Sequence, residues 1–294
     1  MSSAHLFCFG LGYSAGFLAR AVAGEGWRVS GTTREALSAS KDEFPLHRFS
    51  REAPLVDARS VLAGVTHVLI SVPPDAQGCP VADCHGLDLA AFPSLSWVGY
   101  LSTTNVYGDR GGAWVDEETP VAPGGERGRW RAAAEANWLA LHERAKLPLH
   151  IFRLAGIYGP ERNALTALKA GTARRIVKPG QVFSRIHVAD LVAVLRASIA
   201  RPRPGHIYNV CDDEAAPPQD VIAFAAALLG VAPPPLQDFA TAVLSPMARS
   251  FYDDNKRVAN RRIKDELGVA LRYPTYREGL AALAAELGIS RERP

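Results

Sequence analysis

Short apolar runs alternate, through the first two thirds of the chain, with segments whose apolar positions recur every three or four residues. Leu6 to Phe9, Trp27 to Thr32, Val65 to Val72, Trp97 to Ser102, Leu149 to Leu154 and His206 to Val210 read as strands. The clearest helical stretch runs from Arg129 to Lys146, with Trp130, Ala134, Trp138 and Leu141 on one face and Leu147-Pro148 as its stop. On that helix Arg131 and Glu135 stand one turn apart and are expected to pair. Strands alternating with helices predict an α/β protein, a doubly wound parallel sheet covered on both faces. Prolines at 202 and 204, 217 and 218, and 233 to 235 break the last third into short helices and irregular segments, a smaller lobe of different character.

The first strand runs into Gly10-Leu11-Gly12-Tyr13-Ser14-Ala15-Gly16, followed by a helix and a second strand. A dinucleotide's pyrophosphate needs backbone N–H groups at a helix N-terminus. Gly10 suits the tight turn, Gly12 the close approach, and Ala15 or Gly16 the packing of helix on strand, with Tyr13 and Ser14 in the first turn. After the second strand comes Gly31-Thr32-Thr33-Arg34, where an NAD site commonly has an acid. Two hydroxyls and a guanidinium fork there suit a 2′-phosphate, so NADP is the expected cofactor. Ser71, Val72 and Pro73 follow the next strand at its carboxyl edge, where open α/β sheets bind ligands, and Asp75 to Leu87 reads as a loop walling the cleft.

Composition narrows the class. The 294 residues are 48% hydrophobic, enough for a large core, and the net charge of +3 arises from cations scattered among acids. Neither a basic block interleaved with aromatics nor an apolar run of membrane-spanning length is present, so nucleic acid and membrane are not expected partners. With no basic, apolar leader pattern at the N-terminus, a cytoplasmic location is expected. Cys8 and Cys211 lie in strand-like runs and read as core residues. Cys79, Cys84 and His85 match no paired-ligand spacing, and no metal is expected. The acids Asp116 to Glu118 read as a solvated turn.

Four landmarks occur in order over nearly the whole chain: the Gly10 to Gly16 loop, Leu101-Ser102-Thr103-Thr104-Asn105-Val106-Tyr107-Gly108, Arg153-Leu154-Ala155-Gly156-Ile157-Tyr158-Gly159-Pro160, and Arg185-Ile186-His187-Val188-Ala189-Asp190. With them the chain resembles the extended short-chain dehydrogenase/reductase family, the NAD(P)-dependent epimerases and dehydratases, and within it an atypical bacterial subgroup. The resemblance implies a Rossmann domain over residues 1–160 and 185–211 and a substrate-side lobe over 161–184 and 212–294. It implies Thr103 as the catalytic hydroxyl and Ser102, Arg131 and Tyr158 beside the cofactor. It also places Arg127 and Arg131 where the family has its catalytic Tyr and Lys. Arginine does not deprotonate, so Arg127 cannot exchange the proton. Arg131 can still donate to ribose hydroxyls. Tyr107 and Tyr158 are the other phenols at strand ends, and Tyr107 is the candidate for proton transfer. The dehydratase branch has Asp-Glu after its Thr, whereas Thr104-Asn105 stands here, which argues against sugar dehydration.

The expected function is therefore an NADP-dependent oxidoreductase or epimerase on a small anionic or nucleotide-linked substrate. The alternative is a catalytically silent NADP-binding sensor or regulatory protein. A homodimer through the Trp130 helix is compatible with the sequence, as is burial of that face within one chain.

Overall fold

The computed structural model describes residues 4–35 and 43–289. In chain order its elements are β1 (His5–Phe9), α1 (Tyr13–Ala23), β2 (Arg28–Thr33), β3 (Leu46–Arg48), α2 (Ala58–Val61), β4 (His67–Ile70), α3 (Pro80–Ala90), β5 (Trp97–Thr103), β6 (Trp114–Val115), α4 (Glu126–Ala145), β7 (Leu149–Leu154) and β8 (Gly156–Tyr158). There follow α5 (Ala164–Lys169), β9 (Arg175–Val177), β10 (Arg185–His187), α6 (Val188–Ala200), β11 (Ile207–Val210), α7 (Pro218–Leu229), β12 (Leu236–Asp238), α8 (Pro246–Ser250), β13 (Arg257–Val258), α9 (Arg261–Asp265) and α10 (Tyr276–Glu286). Among these residues no helix is long and apolar enough to cross a membrane.

Seven strands form one sheet in the order β11-β7-β5-β4-β1-β2-β3. The pairs β3–β2, β2–β1, β1–β4 and β4–β5 run parallel. This is the doubly wound α/β sheet that the alternation predicts. Chain order reverses between β1 and β4, the switch point at whose carboxyl ends such sheets place their ligands. β1 is buried at every position, as a central strand covered on both faces must be.

The chain divides into two compact units, Met1–Val106 with Glu126–Arg153 and Val192–Tyr208, and Tyr107–Gly125 with Leu154–Leu191 and Asn209–Pro294. In the first, Phe7, Phe9, Val68, Ile70, Trp138 and Leu141 belong to one buried cluster with Cys79 and Val81. α4 contributes Ala134, Trp138 and Leu141 to it, the face read from the sequence, while Trp130 is half-buried. In the second, Tyr158, Leu165, Val221, Tyr276 and Leu280 form a core among β8, α5, α7 and α10.

The stretch expected as a loop, Asp75 to Leu87, is mostly helix: α3 begins at Pro80, with Cys79 as its N-cap residue. Proline at the first helical position lacks an N–H that would be unpaired there anyway, so it starts this helix instead of breaking it. Cys79 is buried and Cys84 half-buried. The His85 ring is fully engaged, its Nε2 accepting from the Leu55 N–H at 3.1 Å and its Nδ1 lying 3.0 Å from Asp88.

Candidate functional site

The turn after β1 is fixed by its own steric limits. Gly10 has φ +83°, and a Cβ there would meet Ser71 Oγ at 2.9 Å and Val72 Cγ2 at 3.1 Å. Two neighbouring strands brace it. The Gly10 N–H donates to Thr32 Oγ1 at 2.8 Å, and the Leu11 N–H donates to the Thr32 carbonyl at 2.9 Å. From the other side Ser71 Oγ donates to the Gly10 carbonyl. Thr32 and Ser71, expected to touch the cofactor, thus have hydroxyls already engaged with the loop backbone. Gly31, which sequence reading passed over, is needed as much: its Cβ would lie 2.7 Å from the Cys8 carbonyl and 3.3 Å from Leu11 Cβ.

Gly12 is the N-cap of α1 and provides no side-chain cap. A Cβ at Gly12 would meet nothing within 4 Å, so space opens in front of the helix. The Gly16 N–H closes the first helical bond onto the Gly12 carbonyl at 2.8 Å, and the first-turn amides before it have no place in the helical ladder. No acidic residue occupies that turn, leaving its positive dipole end uncompensated. Ala15 is fully buried and makes the helix-to-strand packing. Gly16 is half-buried, facing the Arg20 guanidinium. Tyr13 stacks edge-on with Phe17 at 5.1 Å, and Ser14 is half-buried.

At the carboxyl end of β2, Thr33 Oγ1 accepts from the Glu35 N–H at 3.2 Å, and Arg34 is exposed. In register opposite Thr33 on β3 stands Arg48, also exposed. A three-residue strand leaves too faint a pattern to be read, so sequence reasoning missed Arg48. Val72 is half-buried and Pro73 exposed beyond β4.

At the end of β5, Ser102 is buried and donates to Glu135 Oε1 at 2.5 Å. Glu135 also takes the Arg153 guanidinium, Nη2 at 2.8 Å and Nε at 3.2 Å. The expected Arg131–Glu135 pair does not form, because Glu135 faces the sheet and needs a buried counter-charge. Arg131 instead donates Nη1 to the Leu101 carbonyl at 2.8 Å and the Tyr100 hydroxyl at 3.2 Å. Its Nε and Nη2 have no acceptor among the described residues. Thr103 is half-buried, and Arg127 is exposed.

The other phenols belong to the second unit. Tyr107 is fully buried and donates to Asn209 Oδ1 at 2.7 Å, so its proton is committed. Tyr158 is built into that unit's core: a Cβ on Gly279 would lie 2.1 Å from its hydroxyl, which donates to the Thr275 carbonyl at 3.4 Å. Burial drives its phenol well above the ordinary tyrosine range. His187 lies between the rings of Tyr158 and Tyr273, at 5.1 and 4.3 Å, and burial pulls it down to about 4. Glu117 is not a solvated turn residue, since it accepts from the Asn209 N–H at 2.7 Å and burial raises its carboxyl.

No family model matches the chain. A functionally unknown conserved protein from Silicibacter pomeroyi DSS has a solved structure that is 54% identical, with 97% of this chain and 99% of that one covered and a TM-score of 0.86. Protein YeeZ of Escherichia coli (strain K12) is 29% identical over 280 residues, 90% of this chain and 94% of YeeZ. The UDP-glucuronic acid 4-epimerase of Bacillus cereus, solved with UDP-4-deoxy-4-fluoro-glucuronic acid and NAD, matches with a TM-score of 0.74 at 15% identity, covering 96% of this chain and 99% of that one. The architecture is that of the extended short-chain dehydrogenases/reductases, the NAD-dependent epimerases and dehydratases. By sequence the chain belongs to one family with the Silicibacter pomeroyi protein.

Proposed function

We propose that the chain binds NADP through its first unit and acts as an oxidoreductase or epimerase on a small anionic or nucleotide-linked substrate. The observation that carries this reading is the braced glycine turn in front of the uncapped α1 N-terminus, with Arg34 and Arg48 at the ends of β2 and β3. The first-turn amides of α1 would hold the pyrophosphate. Arg34, aided by Arg48, would hold the 2′-phosphate where an acid would repel it. The free donors of Arg131 suit ribose hydroxyls, and Thr103 at the end of β5 suits a substrate carbonyl oxygen. A nicotinamide bound there would supply hydride transfer. The Bacillus cereus neighbour, solved with a nucleotide sugar and NAD, supports a nicotinamide dinucleotide and this substrate class.

A second reading, a silent NADP-binding sensor, is favoured by one observation. Tyr107 and Tyr158 are buried, and the family resemblance puts a non-titrating Arg127 at the proton-transfer position.

Titration with NADPH and NADH, followed by reduced-nicotinamide fluorescence, tests both readings. NADPH is expected to bind more tightly, and Arg34→Ala to weaken it about tenfold or more while barely changing NADH, as loss of a charge-assisted phosphate contact requires. Equal losses would overturn the 2′-phosphate role. Turnover of carbonyl compounds by the NADPH complex supports the enzyme, binding without turnover selects the sensor, and no binding rejects both.

A further inference from the structure

The second unit carries a cavity of about 310 Å³ that opens to solvent. Tyr158, Val221, Ile222, Tyr276 and Leu280 give it apolar walls, and Asn163, Arg174 and Arg185 add polar groups. Two of these three are spent. Asn163 caps α5 through the Thr166 N–H and donates Nδ2 to the Gly159 carbonyl. Arg174 directs Nε and Nη2 to Gln237 Oε1 and Nη1 to the Val243 carbonyl.

Arg185 differs. Its Nη1 donates to the carbonyls of Phe183 at 2.7 Å and Ala216 at 3.1 Å, which anchors the guanidinium at the base of β10. Nε and Nη2 have no acceptor among the described residues, and no carboxylate lies within ion-pair distance of them. Gly156, the register partner of Arg185 on β8, adds no side chain in front of it. The result is a fixed cation with two donors left over, lining an apolar chamber. Burying such a charge unpaired is costly, and a bound carboxylate offsets that cost with a planar fork that matches the guanidinium.

We propose that this cavity is a binding site for a small aryl or alkyl carboxylate, its carboxylate held by Arg185 and its apolar body between Tyr158 and Tyr276. The volume fits. An apolar cavity of about 150 Å³ already admits benzene, so a ring with a short acidic arm is within the size range. Asp212, the acid whose charge acts most on Arg185, is not ion-paired with it: its backbone N–H donates to the Arg185 carbonyl at 2.6 Å, and burial raises its carboxyl to about 8, keeping it largely neutral at neutral pH. The site is independent of the cofactor reading, since each of its residues belongs to the second unit.

Phenylacetate is the probe, with 2-phenylethanol as its uncharged counterpart, each titrated by calorimetry into the full-length protein with and without saturating NADPH. Phenylacetate is expected to bind at millimolar or lower concentration and 2-phenylethanol about tenfold or more weakly. Ala167→Phe, which fills the chamber from α5 and leaves the Arg185 residue itself unchanged, should abolish binding, and Arg185→Met should weaken it about tenfold or more. NADPH affinity should be unchanged throughout. Equal binding of the alcohol, binding that survives Ala167→Phe, competition with NADPH, or no binding of phenylacetate would each overturn the assignment.

Discussion

Glu135 is the residue where charge pattern and burial give opposite readings. As part of a helix of alternating charge it looks like a surface partner of Arg131, yet it is 3% exposed and shared between Ser102 and Arg153. Removing one member of a buried pair strands the other, which costs more than the pair contributes when intact. Glu135→Ala is therefore expected to lower unfolding stability by about 3–5 kcal/mol, read from urea denaturation. The double variant Glu135→Leu, Arg153→Met should recover most of that loss. A loss below about 1 kcal/mol for the single change, the size of an exposed pair, would show that the bridge is solvated. The same residue shows what a sequence hides at this scale. The glycine turn was legible because its glycines all fall within the seven residues from Gly10 to Gly16. The roles of Thr32 and Ser71 were not, because they lie 22 and 61 positions from Gly10 and meet it only through sheet order.

Elements were legible in proportion to their length and burial. β7 matches its expected bounds, and α4 buries Ala134, Trp138 and Leu141 of the predicted stripe, since apolar periodicity over many residues outweighs local signals. β3, β9 and β12 have three residues each and were missed, and α3 was hidden behind prolines that read as breakers. Where β11 gives way to the following loop, Asp212 adds a feature no pattern shows: its Oδ2 is buried without a hydrogen-bond partner. Burial raises its carboxyl from 3.8 to about 8, so the folded chain keeps a proton that the unfolded chain releases over that interval. Stability from this group is full below pH 3.8 and is lost as pH rises through about 8. Relative to Asp212→Asn, the wild-type Tm should fall steadily between those two pH values and then level off. A pH-independent difference between the two proteins would mean that Asp212 is ionised and solvated in the fold.

At the scale of the molecule, the parallel sheet could be inferred because six of its seven strands are apolar runs, whereas the second unit rests on packing among short elements that leave little periodic trace. Function inherits that asymmetry: the glycine turn lies where chain order reverses, and the second unit's cavity emerges only from three-dimensional packing. A cofactor that binds the folded chain alone must stabilise it by mass action, about 2.7 kcal/mol at a ligand concentration one hundred times its Kd. For a protein of this size that corresponds to a rise in Tm of about 5 °C. NADPH should produce that rise, NADH at equal concentration a smaller one, and Arg34→Ala should bring the NADPH curve down onto the NADH curve. Gly12→Asp, which places a carboxylate in front of the α1 amides, should remove both shifts while leaving the ligand-free Tm close to wild type, because a side chain at that position meets nothing within 4 Å. If NADPH still raised the Tm of that variant, the nucleotide would be bound elsewhere than the helix N-terminus.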